Sequence, residues 1–576
     1  MFLKLLLWLD GSPTHYWTVA WICFGIVVML GFASFCIGRA NGWWQHPVLM
    51  GCAILIALLA FRWPELLDNR QYPDPDESQF IAGASTLRQD PIFWRSVDGT
   101  THGPLTEGPL VIALLLRGSI DFTTARTASL LLAWLGILSA WLMFRHLYTS
   151  RIAGLLILPL LAVHAFTHGW SFVAYCSEHV PNALLAMGCY ALFTAWQPSG
   201  SGPPDLSRLF TAAVLLGAIP FAKLQAAPIG LVALCGGGWF ALTNESSSWH
   251  QRVRALGALF IGAVTVSVII VVLVVAFGIW QDFFSCYVLD NLRYAAANQF
   301  PPDRSITWQA APAMLFELGG SVGGFNEFAV WMTLFGACGL FFLSRFTRWH
   351  RRCALVSAAL LVIAAIAAMA PGRPYLHYLQ LMIFPAGLFA GLIAGAFLSD
   401  VVNNGLIARG RSNLSQVVVV SFFLVCGLVL QIWWRVFEAQ PFLGIFTATH
   451  GLLAQSQVSR EILQHANPGE RLGMWGWMPV FWVETGLIQA TRDGQTARQI
   501  EPHPRRDYYR ARFLKDLVRN RPPIFIDAVG VGNFVYEDRA KCGHETFPAL
   551  RDYVDQNYYL VRDLNGTRIY VRNDRL

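Results

Sequence analysis

Long apolar runs separated by short polar connectors dominate the first three quarters of the chain. A helix needs about 20 apolar residues to cross the hydrocarbon core of a bilayer, somewhat fewer when aromatics flank it. By that measure spans are expected over 17–37, 47–61, 126–144, 152–166, 181–196 and 209–221. Further spans are expected over 226–242, 255–279, 328–344, 353–370, 379–398 and 417–434, about twelve in all. Pro220 and Pro228 flank Lys223, so 209–242 can form a broken hairpin in place of two clean helices.

The pattern changes between and after these runs. The stretch 63–124 is a long connection; its apolar run 109–116 is too short to cross and is expected to lie along the interface as an amphipathic element. After Arg435 the apolar runs shorten. Segments 471–475, 524–527, 558–562 and 567–572 read as strands, and 510–519 and 547–556 as helices between them. Asn565-Gly566 is a hairpin signal, because both residues tolerate the positive φ of a tight turn. The expected architecture is a polytopic α-helical membrane domain over 1–434, with its long loop at 63–124, followed by an α/β domain over 435–576. The start of the chain reads as retained and not as a signal peptide. A linker-like piece lies at 198–204.

Composition removes the main alternatives. Of the 576 residues 55% are hydrophobic and only 13% charged, about half the charged share of a soluble domain. The formal net charge of +7 does not indicate nucleic acid, because the arginines sit in short clusters between apolar runs, as loop charges that orient a membrane protein do. The basic connections are 145–151, 252–254, 345–352 and 409–411. Placing them in the cytoplasm leaves 63–124, 281–327 and everything after Arg435 outside, with the N-terminus outside and Arg39 inside. The cysteines stand singly and form no CxxC pair, which implies neither a disulfide framework nor a zinc site.

Candidate chemistry concentrates on the outer side. Tyr72-Pro73-Asp74-Pro75-Asp76-Glu77-Ser78-Gln79-Phe80 sets three carboxylates beside a span. Asp76 with Gln79 fits a capping box for a helix over 77–88, so capping competes with chemistry as the reason for Asp76. Glu178 lies at the mouth of the fourth and fifth spans beside His179 and Pro181, where an acid is costly unless paired, hydrated or bound to a cation. Arg373 and His377 stand four residues apart at the entry to another span; they suit a phosphate at the interface, although an arginine there can also simply snorkel. His102 is a lone loop histidine, and Lys223 interrupts an apolar stretch where it either binds an anion or reaches water. No Walker loop, GxGxxG, HExxH or GxSxG occurs in a suitable context.

Taken in order, these stretches resemble the GT-C superfamily of polyprenyl-phosphate-sugar glycosyltransferases, on the branch of protein O-mannosyltransferases and lipid A aminoarabinose transferases. Pro75-Asp76-Glu77-Ser78-Gln79-Phe80 looks like the Asp-Glu motif of the first outer loop, and His102-Gly103-Pro104-Leu105 like that loop's basic-Pro-Pro-Leu element, with Gly103 replacing a proline. Asp121-Phe122 through Arg126, running into Phe144-Arg145-His146-Leu147-Tyr148, matches the entry into the next helix. Ser177-Glu178-His179-Val180-Pro181 is similar to the acid-x-x-Pro turn, which more often carries Asp. The segment from Arg373 to Pro385 and Trp475-Gly476-Trp477-Met478-Pro479 also look like family segments.

The resemblance implies an inverting transfer of a sugar from a polyprenyl-phosphate donor to a glycan, lipid or protein hydroxyl at the outer face of the inner (plasma) membrane. Asp76 would be the general base. Arg373 and His377, with Lys223 or His102, would stabilise the charge growing on the departing phosphate. For Glu77 and Glu178 two roles stay open, orienting Asp76 or holding a divalent cation as in some relatives. Successive helical residues diverge by about 100°, so Asp76 and Glu77 are not expected to share one role. The C-terminal domain would cover the site or guide the acceptor. The competing readings are a transporter or lipid flippase, which would need ionisable groups near the bilayer midplane, and a ligase for whole lipid-linked glycans, which would leave Asp76 and Glu77 unexplained.

Overall fold

The structure is a computed structural model that describes residues 4, 8–37, 42–67, 74–167, 169–197, 202–295, 309–403, 418, 421–437 and 455–576. Arg39, Tyr72-Pro73, the 409–411 cluster and 198–201 of the linker-like piece lie outside the described residues. The domain boundary expected near 434 adjoins 438–454, which lies outside them as well.

Each expected span carries helix in its described part. Among the described residues, seven helices are long and apolar enough to cross a membrane: Pro13–Cys36, Pro47–Leu67, Phe122–Leu147, Leu224–Thr243, Trp249–Ala276, Arg348–Met369 and Leu376–Ser399. Shorter apolar helices occupy Ser150–Phe166, Leu206–Phe221 and Ser421–Val436. Their environments differ as their sequences do. Trp249–Ala276 exposes Phe260, Ile261, Val268, Val272 and Val275, a surface that only lipid or another helix satisfies, whereas Leu376–Ser399 is almost wholly enclosed by its neighbours. The protein is a multi-pass membrane protein.

The break around Lys223 forms as the flanking prolines require. The helix Leu206–Ala218 tightens into a 3₁₀ turn at Ile219–Phe221; after Lys223 a second turn at Leu224–Ala226 leads into Ala227–Thr243. Neither half-helix can continue through the proline positions, so the backbone at Lys223 is extended and open to pairing. The amphipathic element extends over Pro104–Arg117, burying Leu110 and Leu114 while Ile112, Leu115 and Leu116 face outward.

The C-terminal segment folds around a five-stranded sheet: β1 Arg471–Gly476, β2 Ile488–Gln489, β3 Ile524–Ala528, β4 Tyr558–Leu564 and β5 Thr567–Arg572. The strand order is β2-β1-β3-β5-β4, with β1 parallel to β2 and β3 and the β4–β5 hairpin antiparallel. Alternation along the strands supplies two cores. Leu472, Met474, Ile524, Ile526, Ile569 and Val571 pack on one face, and Trp475, Phe525 and Tyr570 on the other. Helices Arg506–Asn520 and Pro548–Asn557 cover the sheet, and Asn565 and Gly566 take φ of 50° and 77° in the hairpin turn. The two-residue strand β2 is too short to be legible in the sequence.

Candidate active site

The helix bearing the acidic motif spans Pro75–Gln89 and is capped by Asp74, not by Asp76 as the capping-box pattern predicts. Asp74 Oδ1 accepts the backbone N–H groups of Asp76 (2.9 Å) and Glu77 (3.1 Å). Proline is best placed at the first helical position, where its missing N–H costs nothing, and this pushes the cap one residue before Pro75. The Asp76 carboxylate is therefore not used for capping.

Asp76 and Glu77 then part company. Glu77 is fully buried: its Oε2 accepts from Arg126 Nε (3.2 Å) and Nη2 (3.1 Å), and its Oε1 accepts the Tyr175 N–H (2.8 Å). It ties the motif helix to the start of Phe122–Leu147 and to the turn that carries Glu178. Burial pushes its carboxyl up to about 7, and Arg126 opposes the rise. Asp76 is half-buried and opens onto a cavity of about 390 Å³. Enclosure there, helped by neighbouring Asp74, raises its carboxyl from 3.8 to about 7 against the pull of Lys223.

Around Asp76 the membrane-side wall includes His102, Ser177, His377 and Tyr378. Just beneath Ser177 and Tyr378 lies Lys223, 1% exposed, whose Nζ donates to Ser177 Oγ (2.7 Å) and to Glu178 Oε1 and sits 4.7 Å from the centre of the Tyr378 ring. Glu178 also faces His377 Nε2 at 4.0 Å. Burial alone would raise the Glu178 carboxyl, but Lys223 and His377 outweigh it and hold the group at about 2. Arg373 is buried and is not a lining residue, although Pro374 through Tyr378 are.

His102 reaches the wall because the first long loop is stitched to the helix break. His102 and Lys223 pair as an antiparallel bridge, Gly103 N–H donates to Ala222 O (2.8 Å), and Thr106 Oγ1 donates to the same carbonyl (2.9 Å). The His102 Nε2 lies 3.1 Å from Glu107 Oε1, and burial lowers the ring to about 3, so it faces the cavity uncharged. Glu107, buried and pushed well up by the same desolvation, did not stand out in the sequence; its place one turn into an amphipathic helix gives no signal.

The far wall comes from the C-terminal domain: Trp477, Arg498, Glu501, His503 and Phe534, with Asp290 and Asn291 beside them. None of these was legible as a site residue, except that Trp477 falls in a segment with family likeness. An ion-pair network docks this wall. Asp98 Oδ2 accepts from Arg498 Nη2 and Arg512 Nη2, both at 2.7 Å, and Asp493 Oδ1 accepts from the same two groups at 3.0 and 2.5 Å. Asp98 is buried; its backbone N–H donates to Arg492 O at 2.8 Å, and the two arginines hold its carboxyl below the usual range despite burial.

For a metal ion, one group among the described residues brings three ligand atoms within 4.8 Å: Asp527, His544 and Glu545, in the C-terminal domain and not on the cavity. Asp527 Oδ2 is engaged by His544 Nδ1 (2.6 Å) and Arg539 Nη1 (3.1 Å) and Glu545 Oε1 by Arg568 Nη1 (2.6 Å), while Glu545 Oε2 lies 3.4 Å from His544 Nδ1 with no hydrogen-bond partner among the described residues. Two guanidiniums beside these carboxylates fit a dication poorly. Glu178 is likewise occupied by the Lys223 ammonium.

No family model matches the chain, and no curated protein sequence matches it. Solved structures do. ArnT from Cupriavidus metallidurans bound to undecaprenyl phosphate superposes with a TM-score of 0.54 at 15% identity, covering 91% of this chain and 97% of that one. The same protein in the apo state gives a TM-score of 0.51 at 14% identity with the same coverage. The likeness takes in the membrane helices and the C-terminal domain together, so the chain shares the overall fold seen in ArnT.

Proposed function

We propose that the protein is an inverting glycosyltransferase that moves a sugar from a polyprenyl-phosphate donor to an acceptor hydroxyl on the outer face of the membrane. The observation that carries this reading is the Asp76 carboxylate: spared from capping, half-buried, and opening onto a cavity whose wall holds His377 and, just beneath it, Lys223. The fold shared with a protein that binds undecaprenyl phosphate supports the choice of donor.

In this reading Asp76 takes the proton of the acceptor hydroxyl as its oxygen attacks the anomeric carbon. The new C–O bond forms on one face of the sugar while the bond to the phosphate oxygen breaks on the other. The electron pair leaves with the polyprenyl phosphate. No strong acid is needed, because the leaving group is already an anion. Stabilising its extra charge is the main task, and His377 on the cavity wall, with Lys223 behind it, is placed to do so, while Arg373 lies off the cavity in the same segment. His102 contributes as a neutral hydrogen-bonding ring. Glu178 holds Lys223 and His377 in register, which makes the lysine ammonium the cation at this acid in place of a metal ion. Glu77 acts as a positioning residue through Arg126 and Tyr175, and the C-terminal domain covers the site and receives the acceptor.

The test is transfer from a panel of radiolabelled polyprenyl-phosphate sugars by membranes containing the protein, with the anomeric configuration of the product read by NMR. Transfer with inversion from at least one donor supports the reading. Retention of configuration, or no turnover across the panel, contradicts it.

A further inference from the structure

The two walls of the cavity differ in chemistry. The membrane-side wall carries the base and the groups that suit a phosphate. On the opposite wall the lining arginine, Arg498, is ringed by the carboxylates of Asp98, Asp290 and Asp493, while its Nε and Nη1 are buried without a hydrogen-bond partner among the described residues. Arg498 Nη2 is shared between Asp98 and Asp493, at 2.7 and 3.0 Å, and its Nη1 lies 3.5 Å from Asp290 Oδ2. Both ring nitrogens of His503 are engaged with backbone: Nε2 lies 2.7 Å from the Arg498 carbonyl, and Nδ1 accepts the Arg505 N–H at 3.3 Å. That pattern fixes the neutral tautomer. Glu501 lines the cavity, hydrogen-bonds with Tyr536 and forms no ion pair among the described residues. The charge this wall presents to a ligand is thus zero or negative.

Its remaining features are aromatic. Trp477 and Phe534 meet edge to face, with ring centres 5.4 Å apart at 88°, and both line the cavity. The Trp477 indole N–H is buried without a hydrogen-bond partner among the described residues. Phe534 sits in a loop held in a strained shape. Val535, a β-branched residue, takes φ of +67°, while the Gly530 N–H closes the loop on Tyr536 O (3.0 Å) and Asn533 Nδ2 anchors it to Gly566 O (2.9 Å). Strain of this kind persists only where the surroundings over-determine it, and such segments cluster at ligand clamps. Phe534 remains 44% exposed, so a ring face is available to a ligand.

We infer that this wall is the acceptor subsite and that it takes an uncharged saccharide. The inference rests on the glycosyl-transfer reading and adds the class of acceptor. One face of a pyranose presents C–H groups that suit a flat aromatic, while its hydroxyl rim suits an accepting carboxylate such as Glu501. A phosphorylated or acidic acceptor would bring like charge toward Glu501 and meet an arginine, Arg498, whose charge Asp98, Asp290 and Asp493 already balance. A neutral sugar docked on Trp477 presents a rim hydroxyl across the cavity to Asp76, whose carboxylate takes the proton as the hydroxyl oxygen bonds to the donor's anomeric carbon.

The experiment is a binding measurement that needs no donor. Full-length protein in nanodiscs is applied to an array of neutral glycans, their phosphorylated and uronic-acid counterparts, and serine- and threonine-containing peptides. Neutral glycans should be retained. Trp477→Ala and Phe534→Ala should each lower that signal by about tenfold, the effect of losing an aromatic anchor, whereas Phe534→Tyr should keep it. Thermal midpoints matching the wild type separate lost binding from lost folding. Strongest retention of phosphorylated, acidic or peptide ligands, no retention of any neutral glycan, or neutral binding that survives Trp477→Ala would each overturn the inference. Because binding is read without turnover, an enzyme inert toward every polyprenyl donor yet retaining neutral glycans would sink the transferase reading alone.

Discussion

Gly103 donates its N–H to the Ala222 carbonyl at 2.8 Å, and a Cβ built on it would lie 2.2 Å from the Phe221 carbonyl oxygen. The family element that His102-Gly103-Pro104-Leu105 resembles has a proline at this place. Here a proline would lose the donor and meet the backbone. The substitution is thus accounted for by the close approach of the first long loop to the break at Lys223, the contact that brings His102 to the cavity.

Gly103→Ala should accordingly destabilise the protein by roughly 1–3 kcal/mol, the usual cost of forced overpacking, because the obstructing atoms are backbone and cannot rotate away. Thermal unfolding in detergent measures this, and an unchanged midpoint would mean that the loop is not clamped as described.

Lys223→Met removes the cation from a carboxylate that is itself fully buried. Breaking such a pair costs about 3–5 kcal/mol, because the remaining charge is stranded. Adding Glu178→Gln should restore most of the lost midpoint while leaving transfer impaired. Equal stability of the single and double variants would contradict the pairing.

Asp98→Asn should loosen the C-terminal wall, since Arg498 and Arg512 both lose a carboxylate. Hydrogen exchange over 492–512 is expected to accelerate at least tenfold, given the cost of stranding buried charge. Exchange indistinguishable from the wild type would show that the network does not hold the domain in place.

The raised Asp76 carboxyl makes a prediction about pH. A base must be ionised, so transfer should fall by about tenfold per pH unit below about 7 and level off above it. The stability consequence has a definite sign. A carboxyl whose folded value is raised favours the folded state fully below its ordinary 3.8, and that contribution is lost as pH rises through about 7. Asp76→Asn should therefore gain midpoint relative to the wild type between pH 4 and 7. A difference that shrinks over that window would contradict the assignment.

The membrane helices were legible because each is a long apolar run, and the break at Lys223 because two prolines flank it. The divergence of Asp76 from Glu77 followed from helical geometry alone. The cap did not: Asp74 and Asp76 both suit the role, and only the preference of Pro75 for the first helical position decides between them. Least legible was the far wall. Asp98 meets Arg498 and Arg512 some 400 residues further along the chain, and no local periodicity encodes a contact of that separation. The same holds for Glu107, whose partner His102 is near in sequence but whose burial depends on how the loop docks.

Whether the Asp76 carboxylate takes the acceptor's proton is read by comparing wild type with Asp76→Asn in transfer from a labelled polyprenyl-phosphate sugar at pH 8. The variant should still bind donor but transfer about 10²–10⁴-fold more slowly, the usual contribution of a general base. Transfer within a few-fold of the wild type would contradict that role.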